Sequence, residues 1–160
     1  MLIMAHTAID VYENTVSGHH TLGLGIVSWL FTGKPFKSKD YVPFCSALNI
    51  HDNSFESTTT GSTDTTTSFG QLLTILNQGQ YQDVIFDGII DPTDLDEKGI
   101  PISSKRICIS NNGEISFVNL NAGMGTDPQA MAQNMNKDIG PFDCTHPSIT
   151  LDEFKLEDTF

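Results

Sequence analysis

The hydrophobic residues fall in short runs separated by turn-forming positions, and the period of each run predicts an element. Residues 7–12 (T-A-I-D-V-Y) alternate in part and carry β-branched and aromatic side chains, which predicts a strand. A turn follows at 14–18. Residues 21–31 are apolar but include Gly23 and Gly25. Glycine at that density disfavours a helix and predicts a second strand, bulged or closely packed. Gly33-Lys34-Pro35 ends it, and 41–47 reads as a short extended piece broken by Pro43. Residues 56–67 are mostly Thr and Ser with little to bury, so they read as a loop.

Helical spacing occurs twice. Phe69, Leu72, Leu73 and Leu76 recur on one face, Ser68 with Gln71 fits a capping box, and Gly79 is a stop. Asp127 is a good N-cap ahead of Pro128, and the helix this predicts runs through Lys137 to a stop at Gly140-Pro141. Between them, 84–90 reads as a buried strand and 91–99 as an acidic turn. Residues 106–110 and 114–120 flank Asn111-Asn112-Gly113, and Asn-Gly favours the positive φ of a tight hairpin. The tail after Pro147 is unassigned. No internal repeat is found. The sum predicts one α+β domain over residues 1–160, an antiparallel sheet of about four to six strands with two helices packed on one face.

Composition narrows the function classes. With 20 acidic against 8 basic residues the chain carries a net charge of −12, most of it in the second half. Nucleic-acid binding needs clustered Lys and Arg, so it is excluded, and an anionic lipid surface is repelled. No apolar run approaches the roughly 18 residues of a transmembrane helix. Ser, Thr and Asn make up 40 of the 160 residues, unlike a helical bundle. The start has neither the basic region nor the apolar core of a signal peptide, which suits a leaderless protein or a domain of a longer chain. Cys45, Cys108 and Cys144 allow at most one internal bridge, and the ordinary expectation is buried free thiols.

Candidate chemistry is sparse. Gly123-Met124-Gly125 is a fragment of a phosphate loop and reads more simply as a turn. Asp91, Asp94 and Asp96 resemble a calcium loop, but Lys98 and Lys105 stand where oxygen ligands are required. Cys144 and His146, two apart on extended chain, are a zinc-like pair with no second pair. No metal and no cofactor are therefore expected. Nucleophilic catalysis needs a hydroxyl or thiol, a His and an orienting carboxylate. Ser17, His19 or His20, and Asp40 supply one such set, and Cys45, His51 and Asp52 the thiol version.

A Ser/Thr/Asn-rich α+β domain of this size resembles the projecting domain at the end of a capsid protein in iflaviruses, the picorna-like viruses of insects. The resemblance covers the whole chain in size and character. It implies a domain on the virion surface, part of a larger assembly, with an Asp–His–Ser triad that here falls on Asp40, His19 or His20, and Ser17. The reading this favours is a surface interaction domain of a viral or phage structural protein, directed at a protein, receptor or membrane, with a hydrolase-like site. Two other readings stand beside it. One is a cytoplasmic acidic inhibitor or immunity protein for a basic nuclease or toxin, motivated by the charge. The other is a small Ser or Cys hydrolase.

Overall fold

The structure, a computed structural model, describes residues 1–19, 21–56, 65–66, 68–77, 80–124 and 128–147. The Thr-rich stretch from 57 to 64, His20, Gly125, the Asp127 cap and the tail from 148 onward lie outside these. Nine short strands are present among the described residues: β1 Leu2–Met4, β2 Thr7–Tyr12, β3 Thr15–Ser17, β4 Leu22–Val27, β5 Ser46–His51, β6 Ser54–Glu56, β7 Gln82–Phe86, β8 Ile107–Ser110 and β9 Phe117–Asn119. Two α-helices, α1 Ser68–Asn77 and α2 Pro128–Asn134, begin where the spacing predicts them, and α2 ends three residues short of the predicted Lys137.

Every pairing between strands is parallel. The order is β1-β4-β7-β9 in a four-stranded sheet, β2-β5-β8 in a three-stranded sheet and β3-β6 in a two-stranded one. The chain is therefore a parallel solenoid. The strands β1, β2 and β3 make one coil, β4, β5 and β6 the next, β7 and β8 a third, and β9 begins a fourth. Each strand pairs with its counterpart one coil away, about 4.8 Å distant. This corrects the predicted α+β fold, because no antiparallel sheet forms among the described residues. The expected hairpin is absent as well: β8 and β9 lie in different sheets, and Asn111-Asn112-Gly113 turns a corner between them.

Alternation along each strand separates an inside from an outside. Ile3, Ile26 and Phe86 stack in register, as do Leu24, Val84 and Phe117, and Leu48 with Ile107 and Ile50 with Ile109 on the adjoining sheet. These residues form the interior cluster. A second apolar layer lies on the outside of the four-stranded sheet, where Ile85 and Val118 meet Leu73 of α1 and Met131 of α2. The helices thus cover a sheet face, as expected, although the sheet is parallel. Gly23 is required in β4, since a Cβ there would sit 2.7 Å from the Asp83 carbonyl oxygen and 3.0 Å from the Phe55 ring.

The corner after the three-stranded sheet is built the same way in every coil. Glu13, Asp52 and Asn111 take φ of 55°, 54° and 52°, and an asparagine follows each. Asn14 Nδ2 donates to Asn53 Oδ1 at 2.9 Å, and Asn53 Nδ2 to Asn112 Oδ1 at 3.0 Å. Each side chain also returns to the carbonyl two residues before it, Tyr12, His51 and Ser110 in turn. The result is an asparagine ladder along one edge of the solenoid, with Asn53 and Asn112 buried.

The opposite corner carries the long excursions, from 28 to 45 and from 87 to 106. Asp87, buried at 1% exposure, ties their roots together. Its carboxylate accepts from the Ser28 amide at 2.6 Å and from the Ile89 amide at 3.0 Å. Burial pushes its pKa up to about 6.

Candidate functional site

The outer face of the three-stranded sheet gathers polar side chains from neighbouring coils. In β2 and β5 the outward positions are Asp10 and Tyr12, then Asn49 and His51, aligned by the register Asp10 to Asn49 and Tyr12 to His51. His51 is the centre. Its Nδ1 lies 2.6 Å from Asp52 Oδ2 and its Nε2 2.9 Å from Asp10 Oδ1. Asn49 Nδ2 donates to Asp10 at 3.1 Å, and Asn111 Nδ2 donates to Asp52. Tyr12 stacks flat on the imidazole, with centroids 5.4 Å apart and planes 7° from parallel, and its own side stays half exposed.

A carboxylate only accepts hydrogen bonds, so both ring nitrogens must carry protons for both contacts to form. The Asp52 hydrogen bond is the largest influence on His51; burial opposes it, the Asp10 hydrogen bond adds to it, and the net effect raises the pKa above its ordinary value near 6.5. His51 in turn is the largest influence holding the Asp52 carboxyl below its usual range. The stability His51 contributes is therefore full below about 6.5 and lost as pH rises through its higher folded pKa. The stability from Asp52 is present above its unfolded pKa and lost as pH falls through the lower folded one. The cluster is strongest between those limits. An NMR titration of the imidazole should show a midpoint above 6.5, and Asp52→Asn should bring it down further than Asp10→Asn. An equal or reversed order would contradict the assignment.

The disulfide Cys108–Cys144 closes over the same face. It corrects the expectation of free thiols for Cys108 and Cys144, whereas Cys45 is a buried free thiol as expected, and it removes Cys144 from any zinc pair. His146 then donates its Nε2–H to the Arg106 carbonyl at 2.8 Å, and its amide to Asn49 Oδ1 at 3.3 Å. The segment 143–147 is a strap across the third coil that leaves Tyr12, His51 and Asp52 outside it.

The residues proposed for catalysis are placed elsewhere. Ser17 ends β3 and His19 lies in the turn before β4, both exposed, whereas Asp40 sits on the excursion after β4. The six residues of β4, on the order of 20 Å of extended chain, stand between the two corners. Asp40 uses its amide on Ser38 Oγ. His20 is outside the described residues. In the thiol version, His51 and Asp52 do meet, but Cys45 does not join them. It is buried at the other end of β5, and burial pushes its thiol pKa up. Asp91 and Asp96 are occupied with the amides of their own turns, and Asp94 lies 3.7 Å from Lys105. Among the described residues no group of three or more metal-ligating side chains forms.

A second surface lies on the excursion after β4. Trp29–Thr32 is a 3-10 turn capped by Ser28 Oγ, and the Trp29 indole donates to the Lys34 carbonyl at 2.9 Å. Trp29 and Phe36 both pack against Tyr41, at 6.1 and 5.5 Å between centroids, around a cleft of about 280 Å3. Leu30, Phe36 and Val42 are exposed beside it. Lys34, Lys37 and Lys39 project from the same loop, and no carboxylate pairs with them among the described residues. Three of the eight basic residues of the chain thus stand within six positions. The average charge had predicted repulsion from anionic surfaces, and here the local charge is reversed.

Asp10, Tyr12 and Asn49 escaped the sequence reading. Their signal was a polar side chain at alternate positions of two strands, visible only once the strands are known to stack. No helix among the described residues is long and apolar enough to cross a membrane. Comparison of the chain with protein-family models, with curated proteins and with solved structures finds no match.

Proposed function

We propose that this chain is a surface interaction domain directed at a membrane or cell-surface partner, and not a hydrolase. The observation that carries the reading is the basic aromatic loop, which presents Lys34, Lys37 and Lys39 around Trp29, Phe36 and Tyr41 on an otherwise acidic solenoid. Aromatic side chains with an apolar body, flanked by Lys, suit the boundary between water and lipid headgroups. At a Debye length of about 8 Å the acidic remainder is largely screened from a surface that the loop touches. A hydrolase would need a His with one nitrogen turned to a nucleophile, and both nitrogens of His51 are engaged by carboxylates. The setting on a virion or phage particle, implied by the iflavirus resemblance, belongs to this proposal. The disulfide supports an exterior location, because such bonds persist in oxidising surroundings.

Vesicles of phosphatidylcholine with and without phosphatidylserine test it. The protein should sediment with the anionic vesicles only, and less so at high salt. Each Lys near the surface contributes about 1 kcal/mol, so the triple change of Lys34, Lys37 and Lys39 to Gln should weaken partition roughly a hundredfold. Equal partition of the triple variant would remove the loop from the account. Binding to soluble heparin but to neither vesicle would replace the membrane with a polyanion. Esterase turnover lost on His19→Ala would restore the hydrolase.

A further inference from the structure

We infer that the apolar cavity at the corner of the solenoid is a binding site for an amphipathic anion, an aliphatic chain ending in a carboxylate. The cavity measures about 360 Å3 and opens between the excursion that follows β7 and the turn Gly140–Phe142. Phe86, Ile90, Ile107 and Phe142 make its walls, with Cys45 among them. Phe142 is held there by Phe86 and Phe117, at 5.8 and 5.0 Å between centroids. A cavity so lined gives water too few polar partners and favours an apolar guest.

The lip decides the polarity of the guest. Lys105 and Arg106 both line the cavity, in a chain with 20 acids and 8 bases. Lys105 is 3.7 Å from Asp94 and so is partly neutralised. Arg106 is different. One of its nitrogens donates to the Pro141 carbonyl at 2.7 Å, which fixes the guanidinium at the rim, and no carboxylate pairs with it among the described residues. A guanidinium has five N–H donors in a planar fork that matches a carboxylate. An apolar tail in the cavity would place its acidic head at Arg106. This site is separate from the basic aromatic loop and stands whether or not that loop meets a membrane.

Decanoate, with twelve non-hydrogen atoms, is the probe, and decan-1-ol is its neutral control. Isoleucine-methyl NMR of the full chain should show saturable one-site shifts at Ile90 and Ile107 with decanoate, at least tenfold tighter than with decanol. Arg106→Gln should weaken decanoate at least tenfold and leave decanol unchanged. Ile100→Glu, at an exposed position of the lining, should weaken decanoate more than decanol, because the new carboxylate repels the acidic head. Absence of saturable shifts, shifts dispersed over other methyls, or equal affinity for acid and alcohol would each overturn the assignment. So would decanoate binding that survives both variants.

Discussion

Asn53→Ala is expected to lower the free energy of unfolding by about 3–5 kcal/mol, a large part of the 5–15 kcal/mol typical of a domain. The side chain stands in the middle of the ladder. Its Nδ2 faces the Val11 and His51 carbonyls at 2.9 Å and Asn112 Oδ1 at 3.0 Å, and its Oδ1 receives the Asn14 amide at 3.1 Å and Asn14 Nδ2 at 2.9 Å. Truncation leaves these groups unpaired, the Asn112 side chain in a fully buried place and the others in partly buried ones, and each buried orphan costs about 1–3 kcal/mol. Asn14→Ala, at a half-exposed position, should cost about 1 kcal/mol, because water replaces the lost partner. Urea denaturation of the two variants reads the difference directly. If Asn53→Ala cost no more than Asn14→Ala, the ladder would not be what holds the coils in register.

The second large effect is loss of the Cys108–Cys144 bond. The residues are 36 apart, and in the chain-entropy model closing a loop of that length constrains the unfolded state by about 4 kcal/mol. Changing both cysteines to Ser should remove much of this, seen as a lower urea midpoint. The change should also free the strap. Amide exchange at His146 should accelerate, because its bond to Asn49 Oδ1 depends on the bridge nearby, while amides of β5 stay protected. An unaltered midpoint together with unaltered His146 exchange would mean that the strap is held by its other contacts.

The ladder and the bridge mark where sequence reading stopped. Residues 9–14, 48–53 and 107–112 read I-D-V-Y-E-N, L-N-I-H-D-N and I-C-I-S-N-N. Apolar residues recur at the first and third positions and asparagine at the sixth, which is one strand and one corner per coil. This is an internal repeat, against the expectation of none. Its spacing is irregular, with 39 residues from Asn14 to Asn53 and 59 from Asn53 to Asn112, because residues 57–81 between β6 and β7 are a far longer connection than residues 18–21 between β3 and β4. Asn112-Gly113 predicts a hairpin because a tight turn and a solenoid corner both require positive φ, here 72° at Gly113 and 52° at Asn111. Local preference cannot tell which strand comes next to which.

The candidate sites divide along the same line. His51 and Asp52 are neighbours in the chain, and their pairing was open to inspection. Asp10, 41 residues from His51, joins them only because β2 and β5 stack. The three Lys and the aromatics of the loop after β4 are local, yet the −12 total concealed them until the loop was seen to stand apart. Cys108 and Cys144 could be counted but not paired.

By itself, the sequence determined the positions of β2, β4, β7, β8 and β9 and the starts of the two helices, because these follow from the period of apolar residues over a few positions, whereas β3 stands where the residues predict a turn. Only the tertiary structure decided that the strands run parallel, that three asparagines form one ladder, and that Asp10 meets His51. Those facts depend on contacts between residues tens of positions apart, where the entropy of closing irregular loops is balanced by stacking that no short stretch of chain encodes.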